Sequence, residues 1–118
     1  LVVGICAPEV PCGSLASRAL RDGGVDARID TEEPDVRALT AKLVAGELDA
    51  GLVYATDAAA FPDELRVVAL PDGVEAHTDY PIAPVSSSPR PEAAARFVAF
   101  VQSDAGAAVL RAAGFGTP

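Results

Sequence analysis

The stretch Leu1-Val2-Val3-Gly4-Ile5-Cys6-Ala7-Pro8-Glu9-Val10-Pro11-Cys12-Gly13 decides the fold class. Its first six residues are apolar and rich in β-branched side chains, the pattern of a buried strand. Two prolines and a glycine then make a turn. From Ser14 to Arg21 the apolar positions Leu15, Ala19 and Leu20 fall at helical spacing, and Asp22-Gly23-Gly24 supplies a glycine stop.

Outward from this unit the pattern alternates. Val25-Asp26-Ala27-Arg28-Ile29-Asp30 switches between apolar and polar and predicts a half-exposed strand. Thr31-Glu32-Glu33-Pro34-Asp35 is expected to open the next helix. Proline suits a first helical turn, and acids suit the positive end of the helix dipole. Val36, Leu39, Leu43 and Val44 make that helix's apolar stripe, and Gly46 closes it. Asp49-Ala50-Gly51-Leu52-Val53-Tyr54-Ala55 is the most strand-like buried run. Residues 57–60 are expected to make one helical turn, 66–70 a further strand, and 71–79 a turn-rich connection. Tyr80-Pro81-Ile82-Ala83-Pro84-Val85 is expected to be extended. Its prolines restrict it to a sheet edge or to a segment crossing between lobes. After the polar loop 86–91, helices are expected over 92–101 and 104–113, the second capped by Ser103 and ended by Gly114. Strands alternating with helices imply an α/β fold with a mainly parallel sheet. In such sheets ligands bind beyond the carboxyl ends of the strands.

Composition narrows the function. A chain of 118 residues and 12.0 kDa is one domain or part of one. Half of it is apolar, which argues against disorder. No apolar run reaches the roughly 18 residues of a membrane span. The net charge of −8 argues against binding nucleic acid or an anionic membrane through a basic face. The sequence has no Met, so Leu1 is expected to follow a processing or excision point, with any signal peptide already removed.

Two turns stand out, Pro11-Cys12-Gly13 and Glu33-Pro34-Asp35-Val36. Each is expected to follow a strand and open a helix, where unpaired backbone N–H groups carry partial positive charge. Side by side they would hold an anion without a cationic side chain. Read from spacing alone, both are equally ordinary turns. Tyr54 closes the buried run, and its hydroxyl would bond a ligand or a backbone carbonyl. Cys6 and Cys12 are close enough along the chain for a local disulfide; the alternatives are inert thiols or a Cys12 thiolate favoured by the helix start. His77, with Glu75 and Asp79, is a weak metal signal in a solvated loop. Glu32, Glu33 and Asp35 are acids where a helix start wants them. There is no serine–histidine–aspartate arrangement and no phosphate-binding glycine loop.

Together these residues resemble the periplasmic molybdate-binding proteins of ABC importers. The likeness begins at Val10-Pro11-Cys12-Gly13, similar to a Val-Pro-Ala-Gly turn of the family. It runs through Asp35-Val36-Arg37-Ala38-Leu39 and is sharpest in Gly46-Glu47-Leu48-Asp49-Ala50-Gly51-Leu52-Val53-Tyr54-Ala55-Thr56-Asp57-Ala58. It continues in Tyr80-Pro81-Ile82-Ala83, Pro91-Glu92-Ala93-Ala94 and Gly114-Phe115. The resemblance implies a three-layer αβα arrangement, one lobe plus the C-terminal helices of a periplasmic-binding-protein-like fold. Residues 1–79 would form the second lobe, and 80–118 a C-terminal segment packing partly on a first lobe not present in this sequence. It further implies that molybdate or tungstate is bound by the N–H groups of Cys12 and Val36 and the hydroxyl of Tyr54, with no cofactor, no bare metal ion and no catalysis. An ABC permease would be the partner, and the location extracytoplasmic, periplasmic or lipid-anchored. Phe97, Phe100, Val109 and Phe115 would face the absent lobe, or pair two copies as a homodimer. Cys12 departs from the family's alanine, which a backbone donor tolerates. Two other readings are the ligand-sensing domain of a cytosolic transcriptional regulator and a thiol enzyme using Cys12.

Overall fold

In the computed structural model, which describes Leu1 to Thr117, the opening apolar run forms β1 (Val3–Cys6), with Gly4, Ile5 and Cys6 buried. A strand buried on both faces must satisfy its backbone on both edges. β1 does so by pairing in parallel with β2 (Thr31–Glu33) on one side and β3 (Ala50–Gly51) on the other, giving the order β2-β1-β3. The register sets Gly4 opposite Thr31, Cys6 opposite Glu33, and Gly4 opposite Gly51. Single bonds extend this pairing: Asp30 N–H donates to the Val3 carbonyl at 2.8 Å, and Ala7 N–H to the Glu33 carbonyl at 2.7 Å.

Helix α1 (Pro11–Asp22) connects β1 to β2, and α2 (Val36–Val44) connects β2 to β3. The first crossover moves one way along the sheet and the second moves back past β1. Right-handed crossovers in opposite directions put their helices on opposite faces. The strand order therefore reverses between β1 and β3, and an open α/β sheet has its binding crevice at such a reversal. Leu39 of α2 and Cys6 are fully buried; with Cys12 and Leu48 they form the core cluster. Burying one leucine is worth about 1.5–3 kcal/mol, so Leu39 is the chief anchor of α2.

The contacts divide the chain into a first compact unit, Leu1–His77, and a second that begins at Thr78. In the second unit, α4 (Pro91–Val101) and α5 (Asp104–Ala112) form a helix pair. Ser103 caps α5 by accepting from Gly106 N–H at 3.3 Å. Gly106 lies so close to the end of α4 that a Cβ there would overlap the Phe100 and Val101 carbonyl oxygens. Phe97, Phe100 and Val109 remain exposed, and Tyr80 meets the Phe115 ring edge-on at 6.1 Å between centroids. No single helix among the described residues is long and apolar enough to cross a membrane.

The structure corrects several expectations. Residues 25–30, read as a strand, lie outside the sheet, and Thr31–Glu33, read as a helix opening, forms β2 instead. The reason is pairing: the parallel ladder with β1 begins only at Asp30 and Thr31, and burial of Glu33 with its bonds to Thr31 and Lys42 makes the acid part of the sheet. Helix α1 starts at Pro11 rather than Ser14, using the proline whose missing N–H costs nothing at a first turn. The run 49–55 keeps only Ala50–Gly51 as strand. Residues 66–70 and 80–85 join no strand. Val67 and Val68 are 65% and 77% exposed, and a β-branched run without a neighbouring backbone has no ladder to enter.

Candidate functional site

Three chain segments meet at the carboxyl end of the sheet. The first is the turn from β1 into α1. Its N-cap, Val10, carries no side-chain acceptor, and its carbonyl receives the N–H groups of Gly13 and Ser14 at 3.0 and 3.1 Å. Pro11 has no N–H, so the Cys12 amide is the leading donor of α1 and lies before the helical ladder begins. A disulfide joins Cys12 to Cys6, with 5.7 Å between their Cα atoms. Gly13 follows because nothing larger fits: a Cβ there would overlap the Ala7 carbonyl oxygen.

The second segment is the turn from β2 into α2. Asp35 is its N-cap, extended at φ −160°, and its Oδ1 accepts from Ala38 N–H at 2.8 Å. That bond satisfies one orphan amide of the first turn. The amides of Val36 and Arg37 stand ahead of it, outside the ladder. Thr40, buried in α2, donates its hydroxyl to the Val36 carbonyl at 2.8 Å, fixing the first turn from behind.

The third segment leaves β3. Tyr54 is the N-cap of the short helix α3 (Ala55–Ala58), with its carbonyl accepting from Asp57 and Ala58 N–H at 3.0 and 3.1 Å. The chain turns at Tyr54, which puts its half-buried side chain at the sheet's end. Val36 and Tyr54 both pack against the cluster of Cys6, Cys12, Leu39 and Leu48. Of the three residues singled out from the sequence, Cys12 thus belongs to the cluster, and Val36 and Tyr54 pack against it. An open depression of about 690 Å³ has Cys12, Leu48, Val53 and Tyr54 in its wall; Val36 is not part of that wall. Most of its wall is made by α1 and by residues 48–55 and 64–70, so it is not a space shared by all three residues.

The electrostatics beside these turns are settled by one pair. Lys42, the sole lysine of the sequence, donates to Glu33 Oε1 at 2.6 Å, and Thr31 donates to the same oxygen at 2.7 Å. The Lys42 bond first, and the Thr31 bond second, hold the Glu33 carboxyl below the usual glutamate range against the opposing effect of burial. The lysine is therefore committed to a structural carboxylate. The sequence reads Glu33 as an acid at a helix start; the alternation Thr31-Glu32-Glu33, with Thr31 and Glu33 on one strand face, is the available signal for its place in the sheet.

Other expectations resolve differently. The Cys12 thiolate is overturned, because both cysteines are in the disulfide and no free cysteine is present among the described residues. His77 presents its backbone carbonyl to Arg18 Nη2 at 3.3 Å. Among the described residues no group of three or more histidine, cysteine or acidic side chains gathers in a way that would hold a metal ion.

Comparisons with known proteins agree with this architecture. The chain is 36% identical over all 118 residues to the proteins called "Molybdate-binding protein ModA" from Mycobacterium bovis and Mycobacterium tuberculosis. It spans 45% of the length of those relatives. No solved structure matches it. The family described as bacterial extracellular solute-binding protein matches residues 1–116. That match spans nearly the whole chain, and the chain belongs to that family of bacterial extracellular solute-binding proteins.

Proposed function

We propose that this chain, with residues 1–79 as second lobe and 80–118 as C-terminal segment, is part of a solute-binding component that captures molybdate or tungstate and delivers it to an ABC permease outside the cytoplasm. The observation that carries the reading is the common placement of Cys12, Val36 and Tyr54 around one core cluster at the carboxyl end of a parallel sheet. The 36% identity to molybdate-binding relatives along the whole chain supports the same ligand. The amides of Cys12 and Val36 and the hydroxyl of Tyr54 each donate one hydrogen bond to the oxyanion. Fixed N–H dipoles replace the ion's water shell without a counter-charge, which suits a chain of net charge −8 whose lysine is already paired. The protein binds and releases its ligand unchanged, so it is a carrier rather than an enzyme and needs no cofactor. Further donors come from the remainder of the protein, since the relatives are about twice as long. The exposed Phe97, Phe100 and Val109 are assigned to that remainder rather than to a second copy. The regulator reading is set aside because the matching family is extracellular.

Calorimetric titration of the full-length protein and its Tyr54→Phe variant with molybdate tests this reading. A hydrogen bond to a charged ligand is worth about 1.5–3 kcal/mol, so the variant should bind roughly 10- to 100-fold more weakly. Equal affinities would remove Tyr54 from the site.

A further inference from the structure

We infer that the Cys6–Cys12 disulfide aims the Cys12 amide at the bound oxyanion, so that oxyanion affinity depends on the thiol redox state of the protein. The inference rests on the binding site proposed above and adds a positioning role for a bond that site does not itself require.

The two ends of the bond differ in how far they can move. Cys6 is the last residue of β1, fully buried, and opposite Glu33 in the ladder. Its neighbour Ala7 donates to the Glu33 carbonyl at 2.7 Å, so the chain is held on both sides of the sulfur. Cys12 sits in the first turn of α1, where no side chain caps the helix. Its restraints are the bond to Cys6, the close seat of Gly13 on the Ala7 carbonyl, and the Val10 carbonyl bonds to Gly13 and Ser14. Both sulfurs lie inside the cluster on which Val36 and Tyr54 pack. Reduction replaces one covalent bond by two thiols that need more room in a close-packed interior. β1 is held by its ladder, so the displacement falls on the helix start. Cys12 carries the leading amide of that start, and hydrogen bonds weaken steeply with misalignment.

Reduction by a phosphine balances simply. The phosphorus gives two electrons to the disulfide and takes the oxygen of one water as phosphine oxide; the water's two protons end on the Cys6 and Cys12 sulfurs. Glutathione disulfide reverses it by two thiol–disulfide exchanges, releasing two glutathione thiols.

The test uses the full-length protein titrated calorimetrically with molybdate in three states: oxidised, phosphine-reduced and desalted without air, and reoxidised with glutathione disulfide. The expected result is at least tenfold weaker binding after reduction, with far-ultraviolet circular dichroism retained and affinity restored on reoxidation. Cys6→Ala, which keeps the Cys12 amide and removes the covalent restraint without adding a second thiol, should bind more weakly than the oxidised protein and ignore the phosphine. Equal affinity in the oxidised and reduced states would overturn the inference while leaving the proposed function intact. Loss of circular dichroism on reduction would overturn it too, because the bond would then hold the fold rather than aim an amide. An oxidised protein that ignores molybdate would instead sink the proposed function, and this inference with it.

Discussion

The two helix starts at the sheet's carboxyl end are built from different materials. Helix α2 begins in the ordinary way: Asp35 folds its carboxylate over the first turn and bonds Ala38 N–H. Helix α1 has no capping side chain and begins with Pro11, a disulfide and a glycine pressed onto the preceding strand. One start is held by a hydrogen bond that water competes with. The other is held by a covalent bond and by steric exclusion. At the proposed anion site a capping carboxylate would be a mild electrostatic cost, and α1 carries none. A helix start can thus be made rigid without adding negative charge, which suits the anion-donor role proposed for this turn.

The sharpest way to break the comparison is at the third helical position, Gly13 in α1 and Ala38 in α2. Gly13→Ala drives a Cβ into the Ala7 carbonyl and forces backbone movement. Overpacking of this kind costs about 1–3 kcal/mol, occasionally more, and the upper end is expected here because the obstacle is backbone. Thermal unfolding should show a large drop in Tm. The reverse change, Ala38→Gly, should cost no more than about 1 kcal/mol.

Val36→Pro makes the second start resemble the first. Proline is at home at the first helical position, and the extended Asp35 before it is compatible with a following proline. The substitution deletes one proposed donor with little damage to the helix. Molybdate affinity should fall by roughly 10- to 100-fold while Tm barely moves. Undiminished affinity would take the Val36 amide out of the site.

Asp35→Ala removes the side-chain cap that α2 has and α1 lacks. The expected loss is about 1 kcal/mol, read by denaturant unfolding. Smallest at neutral pH is the effect of the Glu33–Lys42 pair. The folded protein holds the Glu33 carboxyl below its ordinary value of 4.5. Stability from this group is therefore fully present above that value and is lost as pH falls through it towards the lower folded value. An unfolding series across that acid range should show a steeper decline for the native protein than for Glu33→Gln.

The parts of the fold legible in the sequence were those fixed by local rules. β1 announced itself by composition, α2 by its apolar stripe, and α5 by Ser103 and Gly114. What was not legible depends on partners. Val25 to Asp30 alternates like a strand but has no ladder, whereas Thr31 to Glu33 looks like a helix opening but is chosen by β1. Val67 and Val68 have strand-forming side chains and no backbone beside them, so their propensity goes unused. The proposed site residues come from another route. Cys12, Val36 and Tyr54 each stand where a strand hands over to a helix, and the family resemblance picked them out of several such places. The Glu33–Lys42 bond was hidden because its partners are joined only by the folding of α2 onto β2.

The central claim is that neutral donors at these helix starts make a molybdate-class site. Calorimetric titration of the oxidised full-length protein with molybdate, with sulfate as the competing tetrahedral dianion, tests it most directly. The account predicts tight molybdate binding and weak sulfate binding. A folded full-length protein that gives no heat with either molybdate or tungstate would contradict it.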